Sequence, residues 1–151
     1  MSKEDLSINQ DGEILYQENR LDPNSLVKGI KKELDTIQKE YKLSTIYSLD
    51  YNGPGNAHHV YQIQPTNSHS MKNSQFIYMQ KGPRNEEGSI TGITNEDLLE
   101  IVRDRLKSFQ SSEYACEYNE KALEHIEDAL TLLNNRVQDR AKRNVLGKYE
   151  K

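Results

Sequence analysis

Tryptophan is absent from this 151-residue sequence, and cysteine occurs once, at Cys116. A single cysteine excludes a disulfide framework and a thiolate metal cluster. It falls within a helical pattern with no histidine nearby, so a small buried hydrophobe is expected there, not a nucleophile. Long apolar runs are missing as well. None approaches the roughly 20 residues needed to span a bilayer. Residues 1–10 are polar and have no apolar core of the kind a signal peptide needs. A soluble protein of the cytoplasm is expected, without a membrane partner. Basic excess is also missing: 20 Lys and Arg face 24 Asp and Glu, for a net charge of −4. General nucleic-acid binding needs a basic face to neutralise phosphates, so nucleic acid is excluded as a partner. No Gly-x-Ser-x-Gly, no phosphate-binding Walker loop and no His-Glu-x-x-His is present. The sequence therefore predicts a protein that is not an enzyme and carries no cofactor.

Apolar residues make up only 34% of the chain. A domain of this size already buries proportionally less surface than a large one, so association between copies is expected to bury the remainder.

What is present is patterned. Residues 1–22 form a polar arm with one short apolar run, Ile14-Leu15-Tyr16, after an Asp11-Gly12 turn signal. That run reads as a short strand or a loose arm. Residues 23–41 read as a helix, because Leu26, Ile30, Leu34, Ile37 and Tyr41 recur at helical spacing. Gly29 weakens that pattern. Strands are expected over 45–49, 59–64 and 75–80, with a short strand or bend over 89–93. Two Gly and a Pro make residues 52–56 a loop. Thr94-Asn95-Glu96-Asp97 resembles a capping box and opens a helix whose stripe is Leu98, Leu99, Val102, Leu106 and Phe109. Gln110-Ser111-Ser112 breaks it. A second helix is expected over 113–144, with Leu123, Ile126, Leu130, Leu133 and Val137 stepping by three and four as a seam. The two helices form an antiparallel hairpin. The expected fold class is α+β. A small antiparallel sheet is followed by a C-terminal helical hairpin, with an extra N-terminal helix. The expected organisation is an arm over 1–22, helix plus sheet over 23–93 and hairpin over 94–151, all one compact oligomerising unit.

Candidate chemistry is sparse. Adjacent His58 and His59 in a strand would point to opposite faces and chelate metal poorly, so no metal site is expected. His125 falls on a solvated helix face. Gly53-Pro54-Gly55-Asn56 reads as a turn, or as a loop presenting backbone N–H groups to a phosphate. Arg84, after Gly82-Pro83, is a loop cation able to fork onto phosphate oxygens. Arg105 lies beside the apolar stripe of its helix. Arg136, Arg140 and Arg143 share one helix face, where they are solvated, pair across an interface or bind an anion between copies.

Three stretches read together carry a resemblance. Asp50-Tyr51-Asn52-Gly53-Pro54-Gly55-Asn56-Ala57-His58-His59-Val60-Tyr61 is similar to an Asp-x-x-Gly-x-Gly-x-Ala-x-His-x-Tyr pattern. Ile77-Tyr78-Met79-Gln80-Lys81-Gly82-Pro83, then Gly88, Gly92 and Thr94, is similar to Ile-x-Phe-Gln-x-Gly-Pro followed by Gly-x-Asn-Gly-x-Thr. Arg105-Leu106, Phe109-Gln110, Ala115-Cys116, Arg136 to Arg140, Gly147 and Tyr149-Glu150-Lys151 resemble the closing hairpin of the same proteins. These are the phage Thoeris anti-defence proteins of the first type, with their shared helical hairpin domain. The resemblance covers about residues 45–151 and leaves the 23–41 helix outside.

The resemblance implies that the protein binds glycocyclic ADP-ribose between two protomers, in the cytoplasm of the infected host bacterium, and does not cleave it. That signal is made from NAD by host TIR-domain enzymes and activates a suicidal effector. Some relatives are trimers of dimers and also bind cyclic di- or trinucleotides at separate sites. The implied ligand-binding residues are His59, Tyr78, Met79, Gln80, Arg84, Thr91, Asn95 and Arg105. Met79 stands where the family has a stacking aromatic, and Thr91 where it has Asn. The 83–88 loop is slightly longer than in the family. The competing readings are a phage structural or interaction protein using the hairpin only to oligomerise, and a nucleotide-processing enzyme. The glycine-rich segment speaks against the first, and the missing acid–base pair against the second.

Overall fold

The computed structural model describes residues 7–8, 14–15, 31–66 and 73–151. The chain divides into two compact units, Met1–Tyr78 and Met79–Lys151.

In the first unit, β1 (Ser7–Ile8) pairs antiparallel with β2 (Ile14–Leu15). Of the two alternatives for the Ile14 run, the short strand is the one found. A separate four-stranded antiparallel sheet runs in the order β3 (Lys32–Glu33), β4 (Ser44–Ser48), β5 (Val60–Pro65) and β6 (Gln75–Tyr78). β-branched and aromatic residues (Thr45, Ile46, Tyr47, Val60, Tyr61, Ile63, Phe76 and Ile77) favour these strands. Val60 and Gln62 are buried while Tyr61 and Ile63 are half-buried, which is the alternation expected of β5. Leu49 and Val60 form the centre of the core, with Tyr47, Phe76 and Tyr78 packed against them. Gln62, 1% exposed, donates from Nε2 to Ser74 Oγ at 2.9 Å. That bond offsets the cost of burying an amide.

The helix expected over 23–41 needs correction. Residues 23–30 lie outside the described residues, but from 31 onward the chain is not helical. Lys32 and Glu33 pair with Ser48 and Tyr47, and Leu34 N–H donates to Ile46 O at 2.9 Å. Ile37 and Tyr41, read as part of an apolar stripe, are exposed. Tyr41 turns the chain with a φ of 56°. Here edge pairing with β4 satisfies backbone groups that a helix would have paired internally.

In the second unit, α1 (Asn95–Gln110) and α2 (Glu117–Lys142) form the hairpin. Arg103 reaches Glu127, and the Gln110 side chain reaches Cys116, so the helices run antiparallel. The expected seam, Leu123, Ile126, Leu130, Leu133 and Val137, is half-buried along its length. Leu98, Leu99 and Leu106 answer it from α1. Neither helix has a fully buried residue, and Ile101, Val102, Phe109 and Leu132 are exposed. α2 starts later than the pattern predicts. Ser112 Oγ donates to Phe109 O (2.7 Å) and accepts from Tyr114 N (3.2 Å), so residues 111–115 are a turn. Cys116 is therefore the exposed N-cap of α2, not a buried helical residue. Among the described residues, no helix is long and apolar enough to cross a membrane.

Candidate functional site

Two of the candidate residues, His59 and Tyr78, belong to the first unit; the rest belong to the second. In the first unit the organising group is Asp50. It follows β4 and is 5% exposed. Its carboxylate accepts from His59 N–H at 3.1 and 3.0 Å and from Val60 N–H at 3.3 Å. Leu49 N–H donates to Val60 O at 2.9 Å, so the loop between β4 and β5 is pinned at both ends. Inside it, a single 3-10 turn spans Pro54–Asn56, and Gly55 there has a φ of 71°, a conformation glycine adopts at little cost. Gly53 N–H donates to Ala57 O (2.8 Å) and Asn56 N–H to Gly53 O (2.9 Å). Those two amides are thus used within the loop, which leaves less of it to cradle a phosphate.

His58 and His59 do not diverge as strand neighbours would, because they precede β5 (Val60–Pro65). His58 Nδ1 donates to the Asp50 carbonyl at 2.6 Å and lies 3.5 Å from its carboxylate. His59 Nδ1 lies 4.0 Å from the other carboxylate oxygen. His59 is buried beneath the loop, whereas His58 keeps a partly open ring. Tyr61 donates to His58 O at 3.3 Å, and burial, then the Asp50 charge, raise its phenol above the usual value. Tyr78 is half-buried on the core face, with its hydroxyl enclosed. Among the described residues, no group of three or more His, Cys, Asp and Glu is arranged to hold a metal ion.

The second unit gathers the remaining candidates around one loop. Met79 bridges Ile93 in parallel, and Lys81 bridges Ile90 antiparallel. Gln80 is the fastener between these bridged segments. Its Nε2 donates to Gly82 O (2.9 Å), and its Oε1 accepts from Gly92 N–H (3.2 Å). The Gln80 amide is thus engaged in shaping the loop, next to the exposed Thr91. Gly82 turns with a φ of 79°, and a Cβ there would lie 2.6 Å from Ser89 Oγ. Ser89 donates in turn to Pro83 O at 2.6 Å. Arg84 stands exposed on this loop.

α1 begins at Asn95, capped by a complete capping box. Thr94 Oγ1 accepts from Asp97 N–H (3.3 Å), and Asp97 Oδ2 accepts from Thr94 N–H (2.7 Å). The Thr94 backbone bond, its hydroxyl and the Arg84 charge hold the Asp97 carboxyl below its usual range. Arg84 therefore lies within electrostatic reach of the first turn of α1. Arg105 is exposed, with its guanidinium 5.6 Å from the centre of the Phe109 ring. It follows Asn95 by ten residues, about 15 Å along the axis at 1.5 Å per residue. One protomer thus presents a cation near the first turn of α1 and another further along the same helix. Of the other basic groups on the hairpin, Arg103 pairs with Glu127 (3.0 Å) and Glu100 (3.4 Å), and Arg143 with Asp139 (2.8 Å). Arg140 donates to two backbone carbonyls, so it is not a solvated cation.

Residues 71–138, which take in α1 and most of α2, match the family model described as Acb2/Tad1, hairpin domain. Among characterised proteins, the chain is similar to Thoeris anti-defense 1 of Bacillus phage SBSphiJ7. The two are 43% identical over 75 residues, which is 50% of this chain and 52% of the relative. The chain therefore spans about half the length of the curated relative it matches. Both comparisons point to the Thoeris anti-defence proteins, the family that the motifs resemble.

Asp50 heads the glycine-rich motif, where spacing alone assigns it no role. The signal was there: an acid directly after a strand, followed by a glycine-rich loop returning to the next strand. The structural use of Gln80 and Arg140 left no trace in spacing, because both act on backbone groups.

Proposed function

We propose that this protein is a phage anti-defence protein that binds and sequesters a cyclic ADP-ribose-type signal, glycocyclic ADP-ribose, without cleaving it. By doing so in the cytoplasm of the infected bacterium, it blocks TIR-based Thoeris immunity. The observation that carries the reading is the similarity to Thoeris anti-defense 1 together with the Arg84 loop, which lies within residues 71–138 matched by the hairpin family model. That loop presents Arg84 beside the start of α1, with Thr91 and Asn95 close by in sequence. A guanidinium on a braced loop is suited to a pyrophosphate, which accepts a planar fork of donors. Met79 supplies a soft, polarizable surface where a base would lie.

The ligand lies between copies in this reading. In this reading Arg84 and Arg105 of one copy do not grip the same pyrophosphate, and a second copy brings one toward the other. Exposed Ile101, Val102 and Phe109 around Arg105 favour such a contact, since association would remove them from water. The assembly is a homodimer or a trimer of dimers, and cyclic di- or trinucleotides are candidate second ligands. Calorimetry of the pure protein against cyclic ADP-ribose isomers and cyclic di- and trinucleotides tests the reading. One class should bind tightly at one molecule per site, and no binding by any of them overturns it. The second reading, a hairpin used only for assembly, is favoured by the exposed apolar helix faces alone and leaves the braced arginine loop without a purpose.

A further inference from the structure

After α2 the chain doubles back, and it does so onto the Arg84 loop. Asn144 (φ 57°) and Gly147 (φ 75°) both take left-handed conformations. Val145 N–H donates to Arg140 O at 3.1 Å, and Val145 is buried, one of only three buried hydrophobic residues among those described. Across this turn lies the Arg140 guanidinium. Its Nη2 donates to Val145 O and to Lys148 O, each at 2.8 Å. One cation thus brackets both ends of a four-residue segment. The segment in turn holds the loop. Asn85 N–H donates to Gly147 O at 3.0 Å, and Tyr149 N–H to Glu86 Oε1 at 3.3 Å. The contact is close: a Cβ on Gly147 would lie 2.6 Å from Asn85 Nδ2, and one on Gly82 would lie 3.1 Å from the Tyr149 hydroxyl. Arg84 sits between these points, one residue before Asn85.

We propose that Arg140 is a positioning residue for Arg84. It fixes residues 145–149, which hold the Asn85 backbone and the Glu86 side chain and so fix where the Arg84 guanidinium is carried. The inference rests on the reading that Arg84 meets the anionic part of the bound nucleotide. Arginine suits the bracket because its planar fork reaches two carbonyls, which a lysine point charge cannot hold together. A braced loop binds better than a free one because less ordering is left to occur when the ligand arrives.

Two measurements test it, and they fail separately. The first is hydrogen exchange without ligand. In Arg140→Ala the Asn85 amide should exchange at least about tenfold faster than in wild type, while amides in the middle of α1 and α2 keep their rates. Arg140→Lys should fall between the two. An unchanged Asn85 rate overturns the bracket, whatever the protein binds. The second is calorimetry with glycocyclic ADP-ribose. Arg140→Ala should weaken binding roughly tenfold, yet add nothing in an Arg84→Ala background, since it acts through that side chain. Equal losses in both backgrounds would mean that Arg140 touches the ligand or supports the whole fold, and the positioning role would be lost. Absence of binding by wild type would sink the sequestration reading alone, leaving exchange to decide on the bracket. If Arg140→Ala does not fold, Gly147→Ala tests the same contact by pressing a methyl group onto Asn85.

Discussion

The Asp50 carboxylate receives the His59 backbone N–H on both of its oxygens, at 3.1 and 3.0 Å, and takes the Val60 N–H at 3.3 Å as well. A buried acid used in this way is the clasp of the loop between β4 and β5. Its removal leaves buried amides without an acceptor, which costs about 1–3 kcal/mol for each. Asp50→Ala should therefore lower the free energy of unfolding in urea by about 3 kcal/mol. Asp50→Asn keeps one acceptor oxygen and should lose less. Equal stability of wild type and Asp50→Ala would show that water or another group replaces the carboxylate.

Arg84 and Arg105 belong to one hairpin unit but sit at different stations along it. If a second copy brings them to one ligand, either Ala substitution should weaken glycocyclic ADP-ribose binding by roughly ten- to a hundredfold, as expected for a charged hydrogen bond to phosphate. Mixing adds a sharper consequence. Refolding the two variants together in equal amounts produces mixed dimers in which one site carries both substitutions and the other carries neither. Tight binding should then return at about a quarter of all sites, by the symmetry of an isologous pair. No recovery would place both arginines at the same site from the same copy, or neither at it. Light scattering of wild type at micromolar concentration should show a species larger than the 17.5 kDa monomer. A clean monomer removes the site altogether.

The capping box of α1 gives a pH dependence of known direction. The Thr94 backbone N–H, then its hydroxyl, hold the Asp97 carboxyl below its ordinary value of 3.8; desolvation opposes them, and the Arg84 charge adds the smallest downward effect. A folded-state value below the unfolded one means stabilisation that is present in full above the unfolded value. It fades as pH falls through the folded value. Thermal unfolding between pH 6 and pH 2 should show this loss in the acid range, and Asp97→Asn should flatten that part of the curve. Thr94→Ala removes the cap itself and should cost about 1 kcal/mol at neutral pH. A Thr94→Ala melting point equal to wild type would mean that the helix start is held by something other than its cap.

The legible parts of this protein were those written in periodicity. Leu123 to Val137 announced the α2 seam, and Thr94 to Asp97 announced the start of α1, because helix spacing and capping are local rules. The strands around Ile46, Val60 and Ile77 came within a residue or two for the same reason. Periodicity misled at Leu34, Ile37 and Tyr41. There a helical stripe competes with an edge pairing to Ile46 that no local pattern encodes. Cys116 misled too, since the turn that places it at a cap depends on the Ser112 and Gln110 side chains. The candidate site was legible as a loop bearing Arg84, not as a structure. Gln80 holds that loop through the Gly82 carbonyl and the Gly92 N–H, and Arg140 holds the turn against it through the Val145 and Lys148 carbonyls; such backbone partners appear only once the chain is folded.

A protein that silences a signal by holding it must return that signal intact, and this supplies the last prediction. In the first unit the Asp50 carboxylate neighbours both His58, at 3.5 Å, and His59, at 4.0 Å, and Asp50 and His58 are both committed. The carboxylate is filled by backbone amides, and His58 Nδ1 by the Asp50 carbonyl. A general base needs a free lone pair aimed at water, which the Asp50 carboxylate arranged in this way does not offer. Incubated with the protein in excess, free glycocyclic ADP-ribose should disappear within minutes. Heating should then release the same molecule in the same amount, one per site. The effector should stay silent before heating and respond to the heated supernatant afterwards. Linear ADP-ribose in that supernatant, at more than the level of a protein-free control, would mean that the signal is cleaved and not sequestered.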